Sequence, residues 1–323
     1  MFFKMKTIII KFGGSSLADP GRIRRAAAMV LGERRRGLRP VAVVSAPADC
    51  TDDLLKLASL AGGASLSRRE TDALLAAGEQ MSAALLALAL QAEGAPAVSL
   101  TGAQAGIKTD DAFSAASVTS VNAGRLRREL AAGRIPVVAG FQGVSPAGDI
   151  TTLGRGGSDL SAVVLARALK AGRCDFRTDV KGIYTAHPAL IPAARKIPAL
   201  SYGEVIALAE LGTEVRQLRA VKYSARHGIA LHLRSSFHDE PGTLVTREGG
   251  RAGVSCLSLK KEGGMALVSV IGRRLGALQL AKALAAAGAL CAGKPACSPG
   301  AITLRVPAPS GEALLKKLHA AFF

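Results

Sequence analysis

The chain has 323 residues, 49% of them hydrophobic and 20% charged, which is the composition of a globular protein large enough for two domains. Its formal net charge is +18, but the basic residues stand in short groups without a basic tail or interleaved aromatic residues, which argues against nucleic-acid binding. No apolar run approaches the length that crosses a membrane, so we expect no membrane association.

The cysteines indicate a reduced protein. The five of them have irregular spacing and no Cys-x-x-Cys motif, so we expect no disulfide framework. The histidines show no zinc-type pairing, and we expect no metal site built from protein ligands alone. The N-terminus lacks a signal-peptide pattern because lysines interrupt its short apolar run, and the predicted location is therefore the cytoplasm.

Strands and helices alternate along most of the chain. Asp19 and Pro20 predict the start of the first helix, and Ser201 with Glu204 predicts a capping box at the start of a later one. Short apolar runs predict strands at 7–12, 40–45, 97–100, 135–139 and 230–235, with one more leading to 178–179. Further helices are predicted from 51, over 70–91 with an interruption at 78–80, over 115–132 and over 158–170.

This alternation predicts βαβ units. Strands joined by helices form a mainly parallel sheet with helices on both faces, so the predicted fold class is α/β with a three-layer α/β/α arrangement. The segment 140–157 is rich in Gly, Ser and Thr and is predicted to form loops and hairpins. Ligands of such sheets bind outside the carboxyl ends of the strands, where the Gly and Ser/Thr clusters of this chain fall.

A change of composition at 249–253 predicts a second, smaller domain. After it the pattern predicts a strand over 266–271, a helix over 276–287, a strand over 301–306 and a helix over 310–323. We interpret this order as βαββαβ, a ferredoxin-like α+β unit. The predicted domains are therefore 1–248 and 254–323.

Six motifs follow one another between Met5 and Val245. They are KFGGSS at 11–16, VVSAPADCTDDLL at 43–55, GEQMSAALL at 78–86, GFQGVSPAGDITTLGRGGSDLSAVVLA at 140–166, TDVKGIYTAHP at 178–188 and SSFHDEPGTLV at 235–245. Together they resemble the motifs of the aspartokinases in the amino acid kinase family, and six in order are far more specific than one glycine turn. The resemblance implies the amino acid kinase fold. It also implies phosphorylation of L-aspartate by ATP to 4-phospho-L-aspartate, the first step of the aspartate-family pathway to lysine and threonine.

Phosphoryl transfer to a carboxylate requires positioning and neutralisation of phosphate charge, because this nucleophile is already ionised at neutral pH. Lys11 ends the first strand beside a glycine turn, and its compact ammonium suits a transferring phosphoryl group. Gly13 and Gly14 allow backbone amides to approach phosphate oxygens. Taken singly, a lysine at a strand end is more often solvated, and two glycines after a strand can form a simple tight turn.

The resemblance assigns catalytic roles to Lys11 and Asp159, with Asp159 organising Lys11 and the phosphates. Ser158 is implied to line the substrate site. Without the family pattern, Ser158 and Asp159 fit an N-cap pair equally well.

The resemblance also implies an aspartate site. Arg155 is assigned to the α-carboxylate, which its planar fork can bind in two places. Glu79 is assigned to the amino group, although by itself it fits an exposed helix residue. Ser45 and Thr51 are implied to make further substrate contacts.

The same resemblance implies that the nucleotide is ATP and that it binds with Mg²⁺. The implied nucleotide-binding residues are Gly13, Gly14, Ser15, Thr178, Asp179 and Tyr184. Tyr184 fits a packed aromatic residue nearly as well. No cage of protein ligands for the metal is visible in the sequence.

The nucleotide side departs from the family pattern in two segments. In the first, Lys181 and His187 stand where acidic residues are common, and Ala189 where an arginine is usual. In the second, at 211–218, Glu214 replaces a lysine that resembles a phosphate contact, and Leu218 replaces a proline. The nucleotide side has thus lost two positive charges, which could be replaced by those of Arg177, Lys181, Arg216 or Arg219.

These departures leave two alternatives open beside an active aspartokinase. One is a paralogous kinase that acts on another amino acid or small carboxylate. The other is a catalytically weak protein that acts as a regulator.

The C-terminal unit contains MALVSVIG at 265–272, LAKALAAAGALCAG at 280–293 and LLKKLHAAFF at 314–323, and these segments resemble an ACT domain. Aspartokinases usually carry two such domains, and the segment between 244 and 265 is too short to hold a second one. The resemblance implies a homodimer formed through this single ACT-like domain. Feedback inhibition by lysine or threonine is not expected.

Overall fold

The computed structural model describes residues 6–63, 65–211, 218–291 and 293–323. Glu214 and Arg216, which the sequence singled out, lie outside these ranges. The chain forms two compact units: Met1–Lys181 with Ile229–Glu240, and Gly182–Gly228 with Pro241–Phe323. These units do not follow the division at 248 and 254, which stays a prediction.

The described residues form strands and helices throughout both units. The strands are β1 (Thr7–Phe12), β2 (Arg39–Val44), β3 (Ala97–Leu100), β4 (Ile107–Thr109), β5 (Val118–Val121), β6 (Ile135–Ala139), β7 (Gln142–Val144), β8 (Ile150–Thr152), β9 (Arg173–Thr178), β10 (Ala199–Ser201), β11 (Leu231–Ser235), β12 (Thr243–Thr246), β13 (Gly253–Glu262), β14 (Met265–Arg273), β15 (Ala296–Ser298) and β16 (Ala301–Pro307). The helices are α1 (Pro20–Arg35), α2 (Cys50–Gly62), α3 (Arg68–Ala92), α4 (Gly124–Ala131), α5 (Gly157–Leu169), α6 (Tyr202–Glu210), α7 (Leu218–His227), α8 (Ala277–Ala287) and α9 (Gly311–Phe322).

A parallel sheet forms the centre of the first unit, in the order β11-β9-β1-β2-β6-β3. Its even-numbered β1 residues Ile8, Ile10 and Phe12 pack into one core with α1 and α3. Lys11 points to the other face, where its side chain meets α5. Helices therefore cover both faces, and the predicted three-layer α/β/α fold is confirmed. Side chains along each buried strand point alternately to the two faces of the sheet, so both faces need a covering layer of helices.

The predicted helix over 115–132 is wrong in its first half. Residues 118–121 form β5, which pairs antiparallel with β4 in a second sheet of order β5-β4-β7-β8. Asp110 accepts a hydrogen bond from Ser117 N at 3.0 Å and turns the chain into β5. Asn122 then accepts from Gly124 N at 3.0 Å, where α4 begins. Local side-chain-to-backbone hydrogen bonds thus compete successfully with the helix. The hairpin predicted within 140–157 is confirmed as β7 and β8.

Helix α3 runs from Arg68 to Ala92 without the predicted interruption at 78–80. Gly78 allows α3 to pack closely, since a Cβ there would lie 2.8 Å from Ala46 Cβ and 3.3 Å from Cys50 Sγ. By length and composition α3 is apolar enough to cross a membrane, a test that buried helices of globular proteins also pass, and half of its apolar window is buried within the protein.

The cap of α5 differs from the prediction. Gly156, with φ of 73°, is the N-cap, and Ser158 and Asp159 lie within the first turn. The left-handed backbone at this cap favours glycine. Asp159 is therefore free of a capping role, and its carboxylate can face the sheet. By contrast, Asp19 caps α1 by accepting from Arg22 N, as predicted.

The second unit holds a parallel pair, β10 with β12, and an antiparallel sheet of order β13-β14-β16-β15. The predicted capping box of Ser201 and Glu204 is confirmed at the start of α6. The C-terminal elements follow the order ββαββα, not the interpreted βαββαβ. The first strand of this order is β13, which was not predicted. It pairs antiparallel with β14 and so supplies hydrogen-bond partners for the backbone groups along that edge of β14.

One buried carboxylate ties α3 to the second sheet. Asp72 is 0% exposed and accepts hydrogen bonds from Ser114 N at 2.9 Å, Thr152 N at 2.7 Å and Thr152 Oγ1 at 2.8 Å. We expect Asp72→Ala to lower the free energy of unfolding by about 3 kcal/mol, because the buried amide and hydroxyl of Thr152 lose their acceptor. Urea denaturation followed by circular dichroism measures this. The matched control is Asp111→Ala at an exposed position, and equal losses in both variants would contradict the assignment.

Candidate functional site

A buried ion pair lies between the first strand and α5. Lys11 Nζ is 2.7 Å from Asp159 Oδ1, and the two side chains are only 8% and 7% exposed. Lys11 stands near the carboxyl end of β1, and Asp159 in the first turn of α5. The structure thus brings together the two residues predicted to be catalytic. An ammonium held here can meet an anionic group at the end of the sheet while its own charge stays balanced.

The glycine turn after β1 packs directly on the chain that follows β2. A Cβ at Gly14 would lie 2.7 Å from Ala46 O and 3.3 Å from Ala48 N. Ala48 N donates to Gly14 O at 3.2 Å, and Gly13 N donates to Arg177 O at 3.1 Å. Gly14 is therefore required by a close backbone approach, not by a left-handed conformation. Ser15 follows in the same turn, and its carbonyl accepts from Arg22 at 2.7 Å.

Glu79, on α3, contacts the segment that follows β2. It is 4% exposed, and its Oε1 accepts a hydrogen bond from Ala46 N at 2.9 Å. Its Oε2 is buried without a hydrogen-bond partner among the residues that the structure describes. The interpretation of Glu79 as an exposed helix residue is wrong, because α3 turns this position toward the β2 loop.

Burial raises the pKa of Glu79 to about 7, against the lowering effects of the Ala46 hydrogen bond and of the Lys11 charge. A buried carboxylate with one oxygen unsatisfied gains from a cationic partner. An ammonium group of a ligand supplies both the charge and the hydrogen-bond donor. Ser45 and Thr51 lie half-buried on either side of Ala46, at the end of β2 and in the first turn of α2.

The loop before α5 holds two more predicted residues. Arg155 is exposed between Gly154 and Gly156, which have φ of 71° and 73°. Ser158 is 8% exposed and packs on Gly140, where an added Cβ would come within 2.9 Å of Ser158 Cβ. The backbone of this loop is thus set by glycine, while the Arg155 side chain is free to reach a ligand.

The predicted nucleotide residues are divided between the two units. Thr178 is half-buried at the end of β9, where its hydroxyl accepts from Val180 N at 3.3 Å, and Asp179 is exposed. Tyr184 belongs to the second unit, where Lys196 Nζ lies 5.9 Å from the centre of its ring. Lys181 forms an ion pair with Glu240 at 3.0 Å.

Arg177 does not compensate for the lost charges beside Lys11. Lys11 pairs in register with Phe176, so Arg177 points to the opposite face of the sheet. There its Nη1 donates to Ser235 O at 3.3 Å.

Sequence reasoning missed two contacts that shape the site. Ser16 and Ser236 are buried, and their hydroxyl oxygens are 2.7 Å apart. Ala46 supplies the amide that holds Glu79. The two serines lie in the motifs KFGGSS and SSFHDEPGTLV, but a contact between residues 220 positions apart leaves no local signal in the sequence.

No group of three or more His, Cys, Asp or Glu side chains arranged to hold a metal occurs in the part of the chain that the structure describes. Magnesium at nucleotide sites is held mainly by phosphates and waters, with one or two carboxylates. Asp159 and the exposed Asp179 are carboxylates of that kind. The site therefore fits a magnesium–nucleotide complex better than a free ion.

Comparison with known proteins gives the same picture. The model of the amino acid kinase family matches residues 6–235. The chain is 48% identical to an aspartokinase of Mycolicibacterium smegmatis over 242 residues, which are 75% of this chain and 57% of that one. It is 47% identical to an aspartokinase of Geobacillus stearothermophilus over 244 residues, which are 76% and 60%. The chain thus spans about three fifths of the length of the curated relatives it matches.

Solved structures agree. Aspartate kinase from Synechocystis is 30% identical with a TM-score of 0.67, covering 98% of this chain and 69% of that chain. E. coli aspartokinase III, solved with aspartate and ADP, has a TM-score of 0.83 and covers 98% and 100%, but at 22% identity it speaks to the fold alone. The chain therefore belongs to the amino acid kinase family and, within it, to the aspartokinases.

Proposed function

We propose that this protein is an aspartate kinase that transfers the γ-phosphoryl group of ATP to the side-chain carboxylate of L-aspartate. The observation that carries the proposal is the buried Lys11–Asp159 ion pair at 2.7 Å, next to the Gly13–Gly14 turn. Burying two charges carries a desolvation cost, so a kinase that had lost its activity would not be expected to retain this pair. The pair thus favours an active enzyme over a regulator without activity.

In the proposed reaction an oxygen of the aspartate carboxylate forms a bond to the γ-phosphorus of ATP. The bond between that phosphorus and the bridging oxygen breaks, and ADP leaves with the electron pair. Lys11 neutralises charge on the transferring group, and Asp159 holds the ammonium in place. No general base is needed, because the carboxylate carries no proton at neutral pH.

The acceptor is proposed to be oriented by charges at both ends. Glu79 binds the ammonium of aspartate through its unsatisfied Oε2, and Arg155 binds the α-carboxylate. Ser45, Thr51 and Ser158 complete the proposed substrate site. The high identity to aspartokinases favours aspartate over the acceptor of a paralogous kinase.

The nucleotide is proposed to bind at Gly13, Gly14, Ser15, Thr178, Asp179 and Tyr184. Mg²⁺ would be held by the phosphates with Asp159 or Asp179, and when bound it would neutralise phosphate charge. The altered segment around Glu214 lies outside the described residues. Lys181 is engaged by Glu240, which argues against its compensating for the replaced lysine.

The family and the composition also support a location, a pathway and an oligomeric state for this protein. The five cysteines are free, which supports a cytoplasmic protein. We propose the pathway to lysine and threonine as its context, and a homodimer formed through the ACT-like region 254–323. Size-exclusion chromatography with light scattering tests the dimer.

Replacing Lys11 tests the reaction itself. We expect Lys11→Ala to lower kcat at least about 100-fold, because one preorganised donor to the transferring group is lost. The assay traps the acyl phosphate with hydroxylamine in the presence of ATP, Mg²⁺ and L-aspartate. The control is Lys6→Ala, an exposed lysine directly before the same strand. Aspartyl hydroxamate formed equally by both variants, or by neither variant nor the native protein, would refute the proposal.

The ionisation of Glu79 predicts a pH dependence. Only the ionised carboxylate attracts an ammonium, and the pKa of Glu79 is raised by burial to about 7. We therefore expect kcat/KM for aspartate to fall below pH 7, approaching about tenfold per pH unit. Glu79→Gln is expected to lose at least about tenfold in kcat/KM at pH 8 and to show no such fall between pH 8 and pH 6.

Stability measurements provide the control for this variant. A carboxyl group with a raised pKa stabilises the fold below its unfolded pKa and loses that contribution as the pH rises through about 7. The native protein should thus lose about 3 kcal/mol relative to Glu79→Gln between pH 4.5 and pH 8. Glu70→Gln, exposed on the same helix, should behave like the native protein. A parallel pH profile for Glu79→Gln and Glu70→Gln would contradict the assignment.

A further inference from the structure

A second charged cavity lies on the α1 face of the parallel sheet. It has a volume of about 290 Å³ and is bounded by α1, the ends of β9 and β11, and the residues after β11. Four arginines line it: Arg25, Arg36, Arg177 and Arg234. The carboxylates in its lining are Glu33 and Asp239, so positive charge exceeds negative charge.

This cavity is separate from the kinase site. Lys11 and Phe176 are paired in register and share the face that α5 covers. Arg177 is the next residue along β9, so its side chain lies on the other face. Arg234 pairs in register with Arg177 and shares that face. The sheet itself therefore separates the arginines from Lys11 and Asp159.

The carboxylates nearby do not satisfy the two central arginines. Glu33 Oε1 lies 3.9 Å from Arg177 Nη2 and 3.6 Å from Arg234 Nη1, while Arg36 Nη1 takes the short contact of 2.8 Å. The buried Asp175 Oδ2 lies 3.8 Å from Arg234 Nη1. Asp239 Oδ1 is 3.8 Å from Arg234 Nη2, and the Asp239 side chain is 100% exposed to water. These distances exceed those of charge-assisted hydrogen bonds.

Two donors are left buried without acceptors. Arg177 is 5% exposed, and the Arg234 side chain is 11% exposed. The Nε atoms of both are buried without a hydrogen-bond partner among residues 6–63, 65–211, 218–291 and 293–323. A buried guanidinium donor without an acceptor is costly.

Two buried like charges also repel each other here. Burial, followed by the charge of Arg234, lowers the pKa of Arg177 to about 10, against the attraction of Asp175 and Glu33. An anion bound beside the two guanidinium groups would reduce the repulsion between them.

We propose that this cavity binds a small organic dianion through a phosphate or carboxylate group held by Arg177 and Arg234. The planar forks of the two arginines suit the oxygens of either group. Arg25 and Arg36 are exposed at the rim and attract the second charge. Met29, on the wall formed by α1, contributes apolar surface for a short carbon chain.

Calorimetric titration with glycerol 3-phosphate and, separately, with succinate tests the proposal. We expect one or both to bind the native protein. In the rim double variant Arg25→Ala/Arg36→Ala, whose changes lie on the exposed side, the affinity should fall at least tenfold. Arg234→Ala should abolish binding, with circular dichroism to verify its fold. The tighter of the two probes identifies the anionic group.

Matched variants separate this cavity from the kinase site. Arg24→Ala/Arg35→Ala removes two exposed arginines of α1 outside the lining and should leave the affinity unchanged. Lys11→Ala should also leave it unchanged, because the anion lies across the sheet. Absence of binding to the native protein would overturn the proposal. Binding that is lost in Lys11→Ala and kept in the rim double variant would overturn it equally, because it would place the anion at the glycine turn.

Discussion

The structure of the candidate site depends on a lysine and a carboxylate that are buried together. Lys11 and Asp159 come from elements that are distant in sequence, and each would be costly to bury alone. Their pairing requires the carboxyl end of β1 to meet the first turn of α5. Two glycines set the backbone around this pair: Gly156 caps α5 in a left-handed conformation, and Gly14 allows the turn after β1 to approach Ala46 closely.

The two faces of one strand pair carry different chemistry. Residues that alternate along β1 and β9 send Lys11 toward α5 and Arg177 toward α1. Because successive side chains of a strand point to opposite faces, a single residue step separates the Lys11–Asp159 ion pair from a cluster of arginines. A parallel sheet covered on both sides can therefore carry separate groups of charged side chains on its two faces.

Glu79 is a buried carboxylate whose ionised form is costly in this protein. Its carboxylate is buried with one oxygen satisfied by Ala46 N and the other left without a partner among the described residues. Burial makes the ionised form expensive and raises the pKa of the group to about 7. In the proposed function this cost favours binding of an ammonium group, because the ligand supplies the missing partner. A site optimised for stability alone would have used an apolar residue or a neutral amide here.

The sequence by itself determined the parallel three-layer architecture, the start of α1 and the capping box at Ser201. It also singled out Lys11 and Asp159, whose catalytic role stays a prediction. Each of these depends on local periodicity, on a capping pattern or on a motif of contiguous residues. Tertiary structure alone decided that 118–121 form a strand, that Gly78 leaves α3 unbroken, and that Ser16 meets Ser236. It also decided that Arg177 faces away from Lys11. These outcomes come from contacts between segments far apart in the chain, whose energies outweigh the small local preferences that a sequence pattern reports.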